Sequence, residues 1–279
     1  MPVTIISQRK SLCEDELFAQ EAVSLRKLLF CLIGIVSFIC QAAPGEPMPK
    51  SLGLGGASVS SAGVDAVFSN PAGLDGRTLF LGSQNYSWNL VGSSFAFVEK
   101  GWGLGSRVLA AADAMSGGMD FIFWAGKEVT VGENISAGLA FSGFSSAGPS
   151  ISGRGASLDG GAIWRKGQGK VGLLWRNLAA IESWESYQGK SSHQPQCQVA
   201  LGLAWEGEKF GAAADLWPEG ENLKWQAGVC FSVSAFQLRL GYDDLVPSVG
   251  IAFDVGQRSI EYSWRGGQYP MSYLGLKFD

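Results

Sequence analysis

Residues 223–234 read LKWQAGVCFSVS, and apolar and polar side chains alternate along this stretch without an error. One face of an extended chain would carry Leu223, Trp225, Ala227, Val229, Phe231 and Val233. The other face would carry Lys224, Gln226, Gly228, Cys230, Ser232 and Ser234. Because successive side chains of a β-strand point to opposite faces, this stretch predicts a strand with one apolar face.

The same alternation recurs along the chain from Arg77 onward, with glycine or charged turns between the segments. Clear examples are residues 135–142, 196–205, 236–243, 249–256 and 260–265. The pattern predicts an all-β fold with about fourteen antiparallel strands in residues 77–279, with twelve strands as the alternative. Bacterial membrane barrels have even strand numbers, which both counts satisfy.

Two architectures fit this alternation: a soluble sandwich or lipocalin-like barrel, and a transmembrane β-barrel with its apolar face on lipid. The polar faces are rich in Gly, Ala and Ser, which favours a filled or narrow lumen over open solvent. Only 16% of the residues are charged, against about 25% in soluble domains. Tryptophans cluster near strand ends, as an interfacial girdle requires. We therefore expect a transmembrane antiparallel β-barrel.

An export signal precedes the predicted barrel. Residues 28–40 form an apolar run that follows Arg26 and Lys27 and ends before Gln41-Ala42-Ala43. A basic flank, a short apolar run and small residues are typical of a secretory signal, with a membrane anchor as the alternative. We assign residues 1–43 to a signal peptide and expect translation to start nearer Val23 or Leu25. The predicted location is the cell outer membrane.

Residues 52–74, LGLGGASVSSAGVDAVFSNPAGL, resemble the N-terminal signature of the FadL-like superfamily of outer-membrane transport barrels. The likeness is greatest to the branch of the Por-type secretion barrels and the UPF0164 proteins. It implies a fourteen-stranded barrel whose N-terminal segment, residues 44–76, folds into the lumen as a hatch. The hatch residues it implies are Gly55, Gly56, Asp65, Asn70, Pro71, Ala72 and Gly73. It also implies traffic of hydrophobic molecules in the fatty-acid branch and protein export in the Por branch.

The Asn-Pro-Ala-Gly sequence at residues 70–73 has a simple physical reading. Residues 64–68 can form one helical turn, Asn70 can cap the next turn, and Pro71 suits its first position. Gly73 then frees the backbone to enter the barrel wall. A plain turn before the first strand is the alternative.

Charged residues on the lumen side of the predicted strands are the remaining candidates for a functional site. The lumen-lining residues we single out are Arg107, Arg176, Arg239, Asp254 and Arg265. Such charges either line a polar pathway or pair with one another, and we favour pairing for most of them. We expect Arg176 and Arg239 to contact the hatch, because glycines beside them leave room.

The sequence does not predict an enzyme. Its one histidine, His193, lies in a polar loop beside Ser191 and Ser192, and neither mature cysteine is part of a metal-ligand cluster. We therefore expect no cofactor and no metal. The net charge of −4 argues against nucleic acid as a partner.

The leading hypothesis is passive transport of small hydrophobic or amphipathic solutes through a hatch-gated barrel in outer-membrane lipid. About fourteen strands in residues 77–279 leave room only for short loops between them. Short loops favour an alternative, a structural or interaction barrel that receives secreted or surface proteins.

Overall fold

The computed structural model describes residues 48–54, 56–86, 90–111, 118–219, 222–268 and 270–279. The predicted signal peptide, the first residues of the predicted hatch and Gly55 lie outside these ranges. All described residues belong to one compact unit.

Within the described ranges, fifteen strands form a single antiparallel sheet. They are β1 Arg77–Tyr86, β2 Leu90–Glu99, β3 Trp102–Ala111, β4 Met119–Gly132, β5 Ile135–Ala147, β6 Ile151–Lys166, β7 Gly169–Ser186, β8 Gly189–His193, β9 Gln198–Glu206, β10 Phe210–Glu219, β11 Asn222–Val233, β12 Phe236–Asp243, β13 Val246–Val255, β14 Arg258–Arg265 and β15 Met271–Phe278. Pairing of β1 with β15 and of β6 with β7 closes the sheet into a barrel.

The wall has fourteen strand positions because β8 and β9 share one of them. Both strands pair with β7, β9 along its first half and β8 along its last five residues. Residues 194–197, which include Pro195, separate the two. Proline cannot donate to a ladder, which explains a break here. The fourteen-stranded closed barrel confirms the predicted fold class.

The wall faces are sorted as the alternation predicts. In β11, Leu223, Trp225, Phe231 and Val233 are exposed on the outside of the barrel. Aromatic residues form two outer bands: one near one rim with Trp102, Trp164, Trp205, Phe210, Phe236 and Phe253, the other near the opposite rim with Trp225, Tyr242 and Trp264. An apolar belt between aromatic girdles is the outer surface of a transmembrane barrel.

The two rims differ in their connections. One rim, called here the terminal end, holds the start of β1, the end of β15 and the turns 100–101, 133–134, 167–168, 207–209, 234–235 and 256–257. The other, the loop end, holds connections that include 112–118 and 266–270. Positive φ angles at Gly101, Gly167 and Gly256 allow the terminal-end turns to be tight.

Residues 48–76 precede the wall and are called here the inner segment. They contain one short helix, α1 (Pro49–Gly53), and two 3-10 turns, Gly63–Phe68 and Pro71–Gly73. Most of the described residues of this segment are buried. Among the described residues, no helix is both long enough and apolar enough to cross a membrane.

Strands β6 to β8 continue beyond the apolar belt at the loop end. This raised sheet comprises residues 151–155, residues 182–186 and β8, and its outer face carries Arg154 and Glu185. Its inner face carries Trp184, whose ring centroid lies 5.4 Å from that of Phe144. The sorting of side chains is thus reversed relative to the belt, as expected for a sheet that stands in water.

Candidate functional site: the filled lumen

The inner segment touches every strand position of the wall. Helix α1 contacts β12 to β15, the first 3-10 turn contacts β1 to β4, and the second contacts β4 to β6. Val59 lies against Gly172 of β7 and Gly202 of β9. Ser58 and Gly56 reach Asp215 of β10 and Gln226 of β11. The segment therefore lies inside the barrel and fills part of its lumen.

Wall glycines make room for the inner segment. A Cβ atom built on any of them would lie 3.2 Å or less from an atom of the segment. These glycines are Gly103, Gly105, Gly126, Gly138, Gly161, Gly172, Gly202, Gly228, Gly250 and Gly275. Close packing of this kind tolerates little added volume. In the sequence, the glycine-rich polar faces of the strands indicated this close packing inside the barrel.

Asn70 ties the segment to the wall through its side chain. Its Oδ1 accepts the N–H of Ala72 at 3.0 Å, which caps the turn Pro71–Gly73 and confirms the predicted cap. Its Nδ2 donates to the carbonyl oxygens of Val59 at 2.7 Å and Leu173 at 3.2 Å. Asn70 is fully buried, so the loss of these bonds would leave buried polar groups unpaired.

Asp215 holds the middle of the inner segment. Its Oδ2 accepts the backbone N–H groups of Ser58 at 2.5 Å and Val59 at 2.8 Å. Asp215 is 0% exposed, and hydrogen bonds to an ionised carboxylate are stronger than neutral ones. The sequence marks Asp215 only as one of many charges on the inner face of the strands, and the two backbone donors were not predictable.

Helix α1 packs beside a buried ion pair. Arg239 Nη1 lies 2.9 Å from Glu261 Oε2, and Arg239 Nη2 donates to Gln237 Oε1 at 2.9 Å. Gly53 of α1 packs against Gly250 and the Cβ of Arg239. The structure thus places Arg239 against the inner segment, where the sequence predicted it.

Asp65, in the first 3-10 turn, is buried in the lumen among charged neighbours. Burial raises the pKa of its carboxyl above the ordinary value. Lys50, Arg239 and Lys277 act in the opposite direction, and Glu261 adds to the rise.

Arg107 contacts the inner segment through an aromatic pair. Its guanidinium carbon lies 5.5 Å from the ring centroid of Phe68 and 5.8 Å from that of Trp124. Those two rings meet edge to face at 4.6 Å. A second arginine, Arg165, also contacts the inner segment: its Nη2 donates to Ala72 O at 3.4 Å. Arg165 was not among the residues singled out from the sequence.

Two predicted lumen-lining residues pair within the wall. Arg265 Nη2 lies 2.5 Å from Asp243 Oδ2. Lys224 Nζ lies 3.7 Å from the other carboxylate oxygen, Asp243 Oδ1. Asp254 accepts a hydrogen bond from Gln237 Nε2 at 3.5 Å. Arg265 thus pairs with an opposite charge, as we favoured for most of these residues, whereas the partner of Asp254 is a neutral amide.

Arg176 stacks on an aromatic ring of the wall. Its guanidinium carbon lies 4.4 Å from the ring centroid of Trp217. It makes no hydrogen bond with the described part of the inner segment. It begins a bulge in β7, where Asn177 has a φ of 55° and donates its N–H to Asp159 Oδ1 at 2.9 Å.

His193 ends β8 on the exposed raised sheet, opposite Glu182 of β7. Cys197 and Cys230 are free thiols. Within the described ranges, no three histidine, cysteine or carboxylate side chains come together as a metal site.

Two solved structures from other proteins have a similar fold. The P. putida toluene transporter TodX matches with a TM-score of 0.56 and 13% identity, over 84% of this chain and 96% of that chain. A Pseudomonas aeruginosa FadL homologue matches with a TM-score of 0.53 and 11% identity, over 84% of this chain and 99% of that chain.

At these identities the likeness shows a shared fold. No protein-family model and no curated protein matches the chain. The likeness to FadL-type barrels that residues 52–74 predicted is therefore found at the level of the fold, and the narrower likeness to the Por-type and UPF0164 branch stays a prediction.

Proposed function

We propose that this chain is an outer-membrane barrel that passes small hydrophobic or amphipathic solutes without chemistry, and that its inner segment acts as a hatch. The single observation that carries the proposal is the seating of the inner segment against all fourteen strand positions. On this proposal, the barrel conducts when the segment shifts away from the wall.

The attachment of the inner segment supports a hatch that can move. Apart from the peptide bond into β1, its described links to the wall are noncovalent. They include the hydrogen bonds of Asp215, Asn70 and Arg165, the hydrogen bond from Ser263 to Pro49 O, and the ion pair of Lys50 with Glu206 at 3.8 Å. Each neutral hydrogen bond contributes about 0.5–1.5 kcal/mol net. A solute that binds the shifted state better could therefore change the population of the two states.

The orientation follows from the two rims. Outer-membrane barrels have short turns on the periplasmic side and longer loops outside. We infer that the terminal end faces the periplasm and the loop end the exterior, so the inner segment enters the lumen from the periplasmic side. TodX is described as a toluene transporter, and solutes of that apolar class are the first to test.

Uptake by intact bacterial cells tests the proposal. Cells that express the chain, the Asp215→Asn variant or neither are given radiolabelled toluene and a labelled fatty acid. We expect uptake above the empty-vector level, changed by Asp215→Asn and unchanged by Asp243→Asn, whose side chain pairs only with wall residues in the described structure. Uptake equal to the empty vector for both solutes contradicts transport.

The raised sheet favours a second candidate function, a surface or secretion barrel of the Por type that receives protein partners. Its polar outer face stands beyond the apolar belt, where a partner could reach it. A variant with residues 182–193 replaced by a two-residue Asn-Gly turn would then lose partner attachment at the cell surface while neither protein passes solute. Solute uptake by the unmodified chain contradicts this candidate.

A further inference from the structure

The side chains of Arg176 and Trp217 meet over a small residue on the lumen face of the wall. They lie on β7 and β10, on either side of β9, and Ala200 of β9 sits between them opposite Leu174. The small Ala200 side chain leaves the guanidinium free to lie 4.4 Å from the centre of the Trp217 ring. Such stacking orients an arginine while its N–H groups stay available.

The polar atoms of this group lack partners within the described chain. Arg176 is 9% exposed and forms no hydrogen bond and no ion pair with any described residue. Trp217 Nε1 and Asp215 Oδ1 are buried and likewise have no hydrogen-bond partner there. Buried polar atoms are nearly always hydrogen-bonded, so these two atoms beside an arginine without a polar partner call for an explanation.

The donors and acceptors without partners indicate which chemical group on a bound molecule would form hydrogen bonds with them. Arg176 and Trp217 offer N–H donors, and Asp215 Oδ1 is an acceptor. A hydroxyl group both accepts and donates, and a carbonyl accepts. Either one on a bound molecule would complement this set.

The local charge selects against an anion. Asp159 and Asp215 are both close enough for their charges to act on Arg176, so two carboxylates already face one guanidinium. A carboxylate on a bound molecule would add a third negative charge in a poorly solvated site, where repulsion is strong. An uncharged oxygen group avoids that cost.

An apolar surface adjoins the group. Val59 of the inner segment packs with Leu174 and Ala200 in a buried cluster, and Trp217 packs against it. These three side chains are 0–1% exposed, so the cluster can take the hydrocarbon body of a bound molecule only when Val59 moves with the inner segment. The cluster also lies next to the bonds from Ser58 and Val59 to Asp215.

We propose that Arg176, Trp217 and Asp215 form a lumenal subsite that binds the uncharged hydroxyl or carbonyl head group of an amphipathic solute. The inference names a solute class for the transport function proposed above and rests on it. Phenols and medium-chain alcohols are members of this class, and fatty-acid anions are not.

Binding to the full mature chain in detergent micelles tests the subsite. The probes are 4-ethylphenol and 4-ethylbenzoate at pH 7.5, where the phenol is uncharged because phenolic groups have a pKa of about 10, and titration calorimetry gives each dissociation constant. We expect the phenol to bind more tightly than the benzoate. Arg176→Met should weaken phenol binding about 10-fold, the loss typical of one good hydrogen bond to a ligand. Trp217→Phe, which keeps a ring and removes the N–H, should weaken it by a smaller factor.

Arg154→Met is the control, since Arg154 is an exposed arginine on the outer face of the raised sheet, away from the lumen. Its phenol affinity should equal that of the unmodified chain. Tighter binding of the benzoate contradicts the uncharged head group. Equal phenol affinity in the Arg176→Met, Trp217→Phe and unmodified proteins contradicts the subsite. Heat-modifiable migration in electrophoresis identifies folded samples of each variant.

The cellular uptake assay separates this proposal from the transport function. Phenol binding that depends on Arg176, in a chain without solute uptake, supports the subsite and contradicts transport. If toluene uptake is normal and phenol affinity does not depend on Arg176, the subsite is contradicted and the transport function is not.

Discussion

Asp215 and Val59 are joined by a hydrogen bond of 2.8 Å between a wall carboxylate and a backbone N–H of the inner segment. The same oxygen accepts the N–H of Ser58 at 2.5 Å. One side chain of the wall therefore fixes two successive backbone groups of the inner segment. Substitution of Asp215 therefore tests whether the wall holds the inner segment in place.

Replacement of Asp215 by Asn should loosen residues 58 and 59. The amide oxygen accepts less strongly than a carboxylate, and hydrogen bonds to charged groups contribute about 1.5–3 kcal/mol. We expect faster amide hydrogen exchange at residues 57–60 in the folded barrel, measured by mass spectrometry in micelles. Asp243→Asn is the control, because Asp243 pairs with Lys224 and Arg265 of the wall. Unchanged exchange in Asp215→Asn would show that this bond does not hold the segment.

Gly161→Ala should displace the Asn-Pro-Ala-Gly turn. A methyl group there would overlap Asn70 Oδ1, and overpacking of a tight interior typically costs about 1–3 kcal/mol. The free energy of unfolding, from guanidinium titration in lipid vesicles, should fall by that amount. Gly132→Ala is the matched control, since a Cβ at Gly132 meets nothing within 4 Å. Equal stability of the two variants would contradict the packing described here.

Arg239→Gln should destabilise the barrel more than an exposed charge deletion does. Arg239 and Glu261 form an ion pair with side chains 2% and 9% exposed, and loss of one partner of a buried pair costs about 3–5 kcal/mol. Lys277→Gln, at the more exposed pair with Asp279, should cost about 0–1 kcal/mol. Vesicle-based unfolding measures both changes. Similar losses in the two variants would mean that Glu261 is solvated without Arg239.

Asp65→Asn should stabilise the protein in a pH-dependent manner. Burial raises the pKa of Asp65 above its ordinary value of 3.8, so the folded state binds the proton more tightly than the unfolded state. The stability contributed by the protonated group is full below pH 3.8 and is lost as the pH rises through the folded pKa. The variant should therefore exceed the unmodified chain in unfolding free energy at pH 7 and match it at pH 3.5. If the two proteins differ by the same unfolding free energy at both pH values, the raised pKa is contradicted. Asp244→Asn, on an exposed turn, is the control.

Alternation was enough to predict the wall, because it records which side chains face lipid. The stretch 223–234 predicted β11 to within a residue at each end, and its apolar face is the exposed one. The break at 194–197 and the bulge at Asn177 were not predicted. A strand that changes neighbours keeps its alternation, so periodicity does not record such features.

The inner segment was predictable in its local chemistry and not in its long-range contacts. Asn70 before Pro71 predicts the cap, and the cap is present. The bonds from Asn70 to Leu173 and from Val59 to Asp215 join residues more than a hundred positions apart. Arg176 shows the same limit, since its stacking on Trp217 depends on the cross-strand register around Ala200.

The most direct test of the central claim is ion conductance across a planar lipid bilayer that holds the purified mature chain or a variant without residues 51–74. Heat-modifiable migration first identifies the fraction of each protein that is a closed barrel. If the inner segment closes the lumen, the unmodified chain shows brief or no openings and the shortened barrel shows a stable, larger conductance. Equal conductance of the two folded barrels would contradict the claim that the inner segment is the hatch.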